Sequence, residues 1–163
     1  MKTRLIAIVI TVAANLAFGH EGIELGPNKG RILELSADES IQGEVTTRDG
    51  KLHITLLNKE MKPIKIADQT IAATAGTRQS PTKLKVEKTA DGFSLPIPGE
   101  DEWLIVQFKV TPNSKPVTAR LHYNTDICAP CGKPEWRCAC GEEEDHDKAN
   151  HRPALPPGRE KQK

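Results

Sequence analysis

Residues 43–57 read GEVTTRDGKLHITLL, and this run decides the fold class. Asp49-Gly50 separates two segments of strand-like composition. A two-residue type I′ turn needs positive φ at both positions, which this residue pair tolerates. In LHITLL apolar and polar residues alternate, the period-two signature of a strand with one face buried. The run therefore predicts a β-hairpin.

Working outward, LIVQFKV alternates in the same way, and Asp91-Gly92 repeats the turn signal between TKLKVEK and FSLPI. RILEL, KPIKIAD, TIAATAG and VTARLHYN are further expected strands. Gly, Pro, Asn and Asp punctuate them at intervals of about 8–12 residues, the spacing of sandwiches. No segment after the N-terminal apolar run carries a 3.6-residue apolar stripe. The expectation is an all-β chain: an antiparallel, immunoglobulin-like β-sandwich of about seven or eight strands over residues 31–124. Aromatic residues are 4% of the chain, so Ile, Val and Leu must build its core.

The flanks differ from this domain. Lys2 and Arg4 precede an apolar run from Leu5 to Phe18, and Ala17 and Gly19 place small residues before His20. That pattern is a cleavable signal peptide over residues 1–19, which implies a periplasmic or secreted protein. A membrane span needs about 20 apolar residues. This run has 14, with Asn15 inside it, so no span is expected after cleavage. Residues 20–30, HEGIELGPNKG, read as an irregular lead-in. Residues 142–163 are charged and Pro-rich with little to bury, hence a disordered tail. Losing Lys2 and Arg4 takes 23 basic residues to 21, against 22 acidic. That balance argues against nucleic acid, whose affinity comes from clustered cations on phosphates.

Between domain and tail, residues 125–141 hold all the cysteines: Cys128, Cys131, Cys138 and Cys140 in CAPCGKPEWRCACG. The spacing is C-x2-C-x6-C-x-C, with Gly132 and Gly141 following each pair. A glycine there permits the tight turn that aims backbone N–H groups at sulfur, as in a metal knuckle. Four thiolates suit Zn(II) or Cu(I) and not Mg or Ca. The competing assignment is a pair of disulfides in an oxidising compartment. Bridges within either pair would close very short loops, so bridges between the pairs are the easier ones. The four cysteines would then staple an interaction module of the cell envelope. A redox-active pair needs a thiol of depressed pKa, usually at a helix N-terminus, and no helix is expected here.

Histidines offer a second metal chemistry. If cleavage falls before His20, its α-amine and imidazole form a chelate suited to Cu(II), and His53 or His122 would complete a brace on the sandwich. His146 and His151 flank the acidic run Glu142, Glu143, Glu144, Asp145 and Asp147, which could gather metal beside the cysteines. No G-x-S-x-G, H-E-x-x-H, phosphate loop or dinucleotide fingerprint occurs, so no enzyme is expected.

GPNKGRILEL, TAGTRQSPTKLKVEK, LPIPGEDEWLIVQFKV and CAPCGKPEWRCAC, together spanning about residues 26–140, resemble small exported domains associated with bacterial heavy-metal efflux systems. The resemblance implies metal handling and efflux-system components as partners. The family's His-bearing segment after the first strand corresponds here to SADESIQGEV, which has no histidine. The long coiled-coil hairpin of a full adaptor is also missing, so the implied role is that of an accessory protein.

Overall fold

A computed structural model of the chain describes residues 24–140; the expected signal peptide, His20, His146 and the charged tail fall outside them. Nine strands run in chain order: β1 (Arg31–Glu34), β2 (Ile41–Arg48), β3 (Lys51–Asn58), β4 (Thr70–Gly76), β5 (Pro81–Leu84), β6 (Glu87–Lys88), β7 (Phe93–Pro96), β8 (Glu102–Lys109) and β9 (Val117–Tyr123). They form two sheets, β1-β2-β3-β7-β6 and β5-β4-β8-β9. Every strand pair is antiparallel. With β1 set aside, this order is the A-B-E-D and C′-C-F-G arrangement of an immunoglobulin-like sandwich. β1 adds one strand beyond the first.

The hairpin that opened the sequence reading joins β2 to β3. Arg48 pairs with Lys51, and Asp49 (φ 51°) and Gly50 (φ 70°) both take the positive φ that a type I′ turn requires. From β3, Leu52, Ile54 and Leu56 point inward with Val45 of β2. They meet Leu104, Val106 and Phe108 of β8 and Leu121 of β9 in one apolar cluster. Strand alternation is thus converted directly into a two-layer core.

Four expectations change. KPIKIAD is not a strand: an isolated bridge between Leu57 and Pro63, the Ile64 N–H on Leu56 O (3.0 Å) and the reciprocal bonds of Asn58 and Lys62 (2.9 Å each) tie its start to β3, and no ladder continues beyond them. Pro63 has no N–H to continue a ladder, and the segment carries the chain from one sheet to the other. TKLKVEK splits, because β5 pairs with β4 while β6 pairs with β7 in the opposite sheet. The strand count rises to nine among the described residues. The Asp91-Gly92 hairpin has a four-residue loop, since Lys88 pairs with Phe93, and Gly92 has no positive φ. Its glycine is needed for space: a Cβ there would lie 2.4 Å from Ile54 O and 2.6 Å from His53 Nε2.

The described part of the lead-in, residues 24–30, is irregular but closely fitted. Glu44, on the outer face of β2, is fully buried. Its carboxylate accepts hydrogen bonds from the Asn28 N–H (2.7 Å), the Asn28 side-chain amide (2.8 Å) and the Gly30 N–H (3.0 Å). A buried carboxylate is costly unless hydrogen-bonded, and charge-assisted bonds of this kind are the strong ones. A Cβ at Gly30 would come within 2.4 Å of Val45 O, so only glycine lets the loop approach this far.

His53 is buried on the same outer face, its Nε2 3.4 Å from Asp91 Oδ1. Burial lowers its pKa; the nearby Arg48 charge adds to the lowering and Asp91 opposes it. A folded pKa below the unfolded value of about 6.5 means that the unfolded chain takes up the proton first. The stabilising effect of neutral His53 is therefore complete above about pH 6.5 and declines as pH falls toward the lowered value. Denaturant unfolding at successive pH values should show this decline, and His53→Gln should flatten it; identical slopes in the two proteins would contradict the assignment.

Candidate metal centre

The cysteine segment grows out of the end of β9. The Trp136 N–H donates to Asn124 O (3.0 Å), the Glu135 N–H donates to Asp126 O (2.8 Å), and Ile127 bridges to Pro134. Glu100, in the loop before β8, accepts the Thr125 N–H (2.6 Å) and the Thr125 hydroxyl, fastening the base of the segment to the sandwich. These bonds hold the Glu100 carboxyl below its ordinary pKa, the hydroxyl contributing most.

At the far end the chain reverses. Gly132 takes φ 66°, its N–H reaches Cys128 O (2.8 Å), and the Cys128 N–H reaches Lys133 O (2.8 Å). Only a residue tolerant of positive φ turns the chain so tightly. A short 3-10 turn, Glu135–Arg137, then delivers Cys138 back to Cys128. At its centre Trp136 is buried and belongs to the sandwich's apolar cluster, its ring 5.4 Å from that of Tyr123.

All four thiols are free. The Sγ atoms of Cys128 and Cys138 are 3.2 Å apart, those of Cys131 and Cys138 3.6 Å, and those of Cys128 and Cys140 4.0 Å. All four sulfurs lie within 4.8 Å of one another. Four sulfurs at about 2.3 Å from a tetrahedral ion are separated by about 3.8 Å, the middle of this range. Cys128 and Cys138 are buried, while Cys131 and Cys140 are half-buried. Backbone N–H groups are aimed inward: that of Cys131 at Cys128 Sγ, that of Lys133 at Cys131 Sγ, and that of Cys140 at Cys138 Sγ (3.3 Å).

The acidities follow from this packing. The Lys133 N–H leads in lowering the Cys131 pKa. Contact with Cys138 leads in raising that of Cys128 and pushes Cys140 up to about 12, the other sulfurs adding to it. Without a cation the sulfurs share protons, since adjacent thiolates repel one another. A bound cation would replace those protons. The donors present therefore fit a soft or borderline metal ion, and among the described residues they form the one group of three or more ligand side chains that could hold one.

The strand histidines do not join the cysteines. His53 lies on the outer face of the five-stranded sheet. His122 lies on the outer face of the four-stranded sheet, stacked on Trp103 (ring centroids 4.9 Å apart) with Nε2 2.9 Å from Asp101. The two point away from each other across the sandwich, and the expected partner of either one, His20, lies outside the described residues. Sequence reasoning also missed Trp136 and Glu100, which anchor the segment. The one signal for the anchor was a large apolar residue inside an otherwise polar insert.

Fold and site together define a class: an immunoglobulin-like sandwich with an appended four-cysteine knuckle able to hold a metal ion. Compared with known proteins, the chain matches no family model, no curated protein and no solved structure.

Proposed function

We propose that this is an exported, non-enzymatic accessory protein that binds one Zn(II) ion through the thiolates of Cys128, Cys131, Cys138 and Cys140. The observation that carries the reading is the convergence of four sulfurs within 4.8 Å, with backbone N–H groups directed at them. Four near-equivalent sulfurs suit the tetrahedral preference of Zn(II); Cu(I) is the next candidate, as the other common thiolate-bound ion. Four protein ligands leave no position for a reacting water, which favours holding or handling the metal over metal-assisted catalysis. Export rests on the N-terminal residue pattern. A place beside heavy-metal efflux components rests on the resemblance of residues 26–140, and the acidic tail with His146 would raise the local metal concentration.

A disulfide-stapled interaction module is the second reading, favoured by the 3.2 Å approach of the Cys128 and Cys138 sulfurs. Native mass spectrometry of protein purified from its natural compartment separates the two. The expected mass is that of the mature chain plus one zinc, with binding that tightens as pH rises because each thiol must lose a proton. A metal-free mass lacking four hydrogens would replace the metal site with two disulfides.

A further inference from the structure

The outer face of the four-stranded sheet carries an indole in a place where packing does not require one. Trp103 of β8 is 48% exposed, and exposed tryptophans of this kind mark contact surfaces, because they offer a large apolar face with a polar edge. Its cross-strand neighbours are His122 on β9 and Gly76 on β4. On one side the His122 ring stacks on it at 4.9 Å with a 27° interplanar angle, and Asp101 holds His122 Nε2 at 2.9 Å. On the other side Gly76 leaves the indole bare. That glycine cannot be filled in, since its φ is 115° and a Cβ would lie 2.4 Å from Ser80 O. The indole is thus braced on one flank and open on the other.

A groove of about 760 Å³ surrounds it, also lined by Arg78 and Arg120. Arg120 lies on the same strand face as His122, two residues and about 7 Å along. Neither arginine forms an ion pair among the described residues. The groove therefore combines an aromatic platform with two uncommitted guanidiniums, and its volume is that of a small-ligand site.

We propose that this groove binds a carboxylated oligosaccharide, one sugar ring lying on Trp103 and its uronate carboxylate paired with Arg120, with Arg78 adding positive charge to the same groove. Guanidinium recognises carboxylate through two parallel N–H bonds, and Asp101 is placed to accept from sugar hydroxyls at the same end. A neutral glycan would leave both arginines without a role. Single-stranded nucleic acid also uses stacking and cations, but it needs a continuous cationic track. Here two arginines share the groove with Asp101, on a chain with 23 basic and 22 acidic residues.

The test is a tryptophan-fluorescence titration of the full mature chain with tetragalacturonic acid. Trp136 is buried, so a change in emission reports Trp103. Saturable quenching is expected with tetragalacturonate, and about tenfold weaker binding with maltotetraose or in Arg120→Gln, a loss equivalent to about 1.4 kcal/mol. In Trp103→Ala, calorimetry should find no binding, with the melting temperature retained because the side chain is exposed. The proposal is overturned by an absence of saturable quenching, by unchanged affinity in Arg120→Gln, or by a short oligothymidylate binding as tightly as the glycan.

Discussion

Cys138→Ser is expected to abolish stoichiometric zinc binding and to bring the melting temperature of the zinc-treated chain down to that of the metal-free protein. Cys138 is the hub of the cluster: its sulfur is 3.2 Å from that of Cys128 and 3.6 Å from that of Cys131, and it accepts the Cys140 N–H at 3.3 Å. Serine puts a shorter, harder ligand at the centre of a soft site. A metal that binds only the folded chain stabilises it by about 4 kcal/mol at a free concentration a thousandfold above Kd, and this contribution is what the variant loses. The metal-free sandwich should still fold cooperatively, because the four sulfurs are not part of the apolar cluster that joins the two sheets. Zinc competition against a chromophoric chelator, combined with thermal melts, reads both effects. Retention of one tightly held zinc by the variant would rule out the four-thiolate assignment.

Trp136→Ala should lower stability by about 3–5 kcal/mol, the range for truncating a buried large aromatic. Trp136 is 4% exposed and packs on Tyr123 within the sandwich cluster. It also occupies the 3-10 turn that returns Cys138 to Cys128, so one truncation removes core volume and loosens the placement of a ligand. Zinc affinity should fall together with stability, whereas Trp136→Phe should retain most of both. Urea unfolding of the metal-free chain isolates the packing component. A loss below about 1 kcal/mol with unchanged zinc affinity would mean that the knuckle stands apart from the domain.

The sulfurs lie outside the apolar cluster of the sandwich, but the tryptophan between them belongs to it, which the position of residues 125–141 between domain and tail did not announce. Local signals were readable: Asp49-Gly50 specifies its own φ angles, LIVQFKV its own alternation, and cysteines within thirteen residues of one another must be close in space. Signals that depend on distant partners were not. KPIKIAD has strand composition, yet it is consumed in crossing between sheets. TKLKVEK looks continuous, but its two halves are claimed by β4 and β7. Nothing near Glu44 in sequence announces that Asn28 and Gly30 will satisfy it. His53 and His122 could serve as ligands by type alone, and strand geometry turns them outward on opposite sides.

Glu44 also bears on how the chain avoids misfolding. Side chains in a strand change face with every residue, so displacing β2 by a single position would swing this carboxylate between the sheets. It would then lie against the leucines of β3 with no amide within reach, a penalty far beyond what a domain of this size tolerates. The slipped pairing is thereby rejected, and the glycine-rich segment at the start of the domain can close only over a correctly aligned sheet.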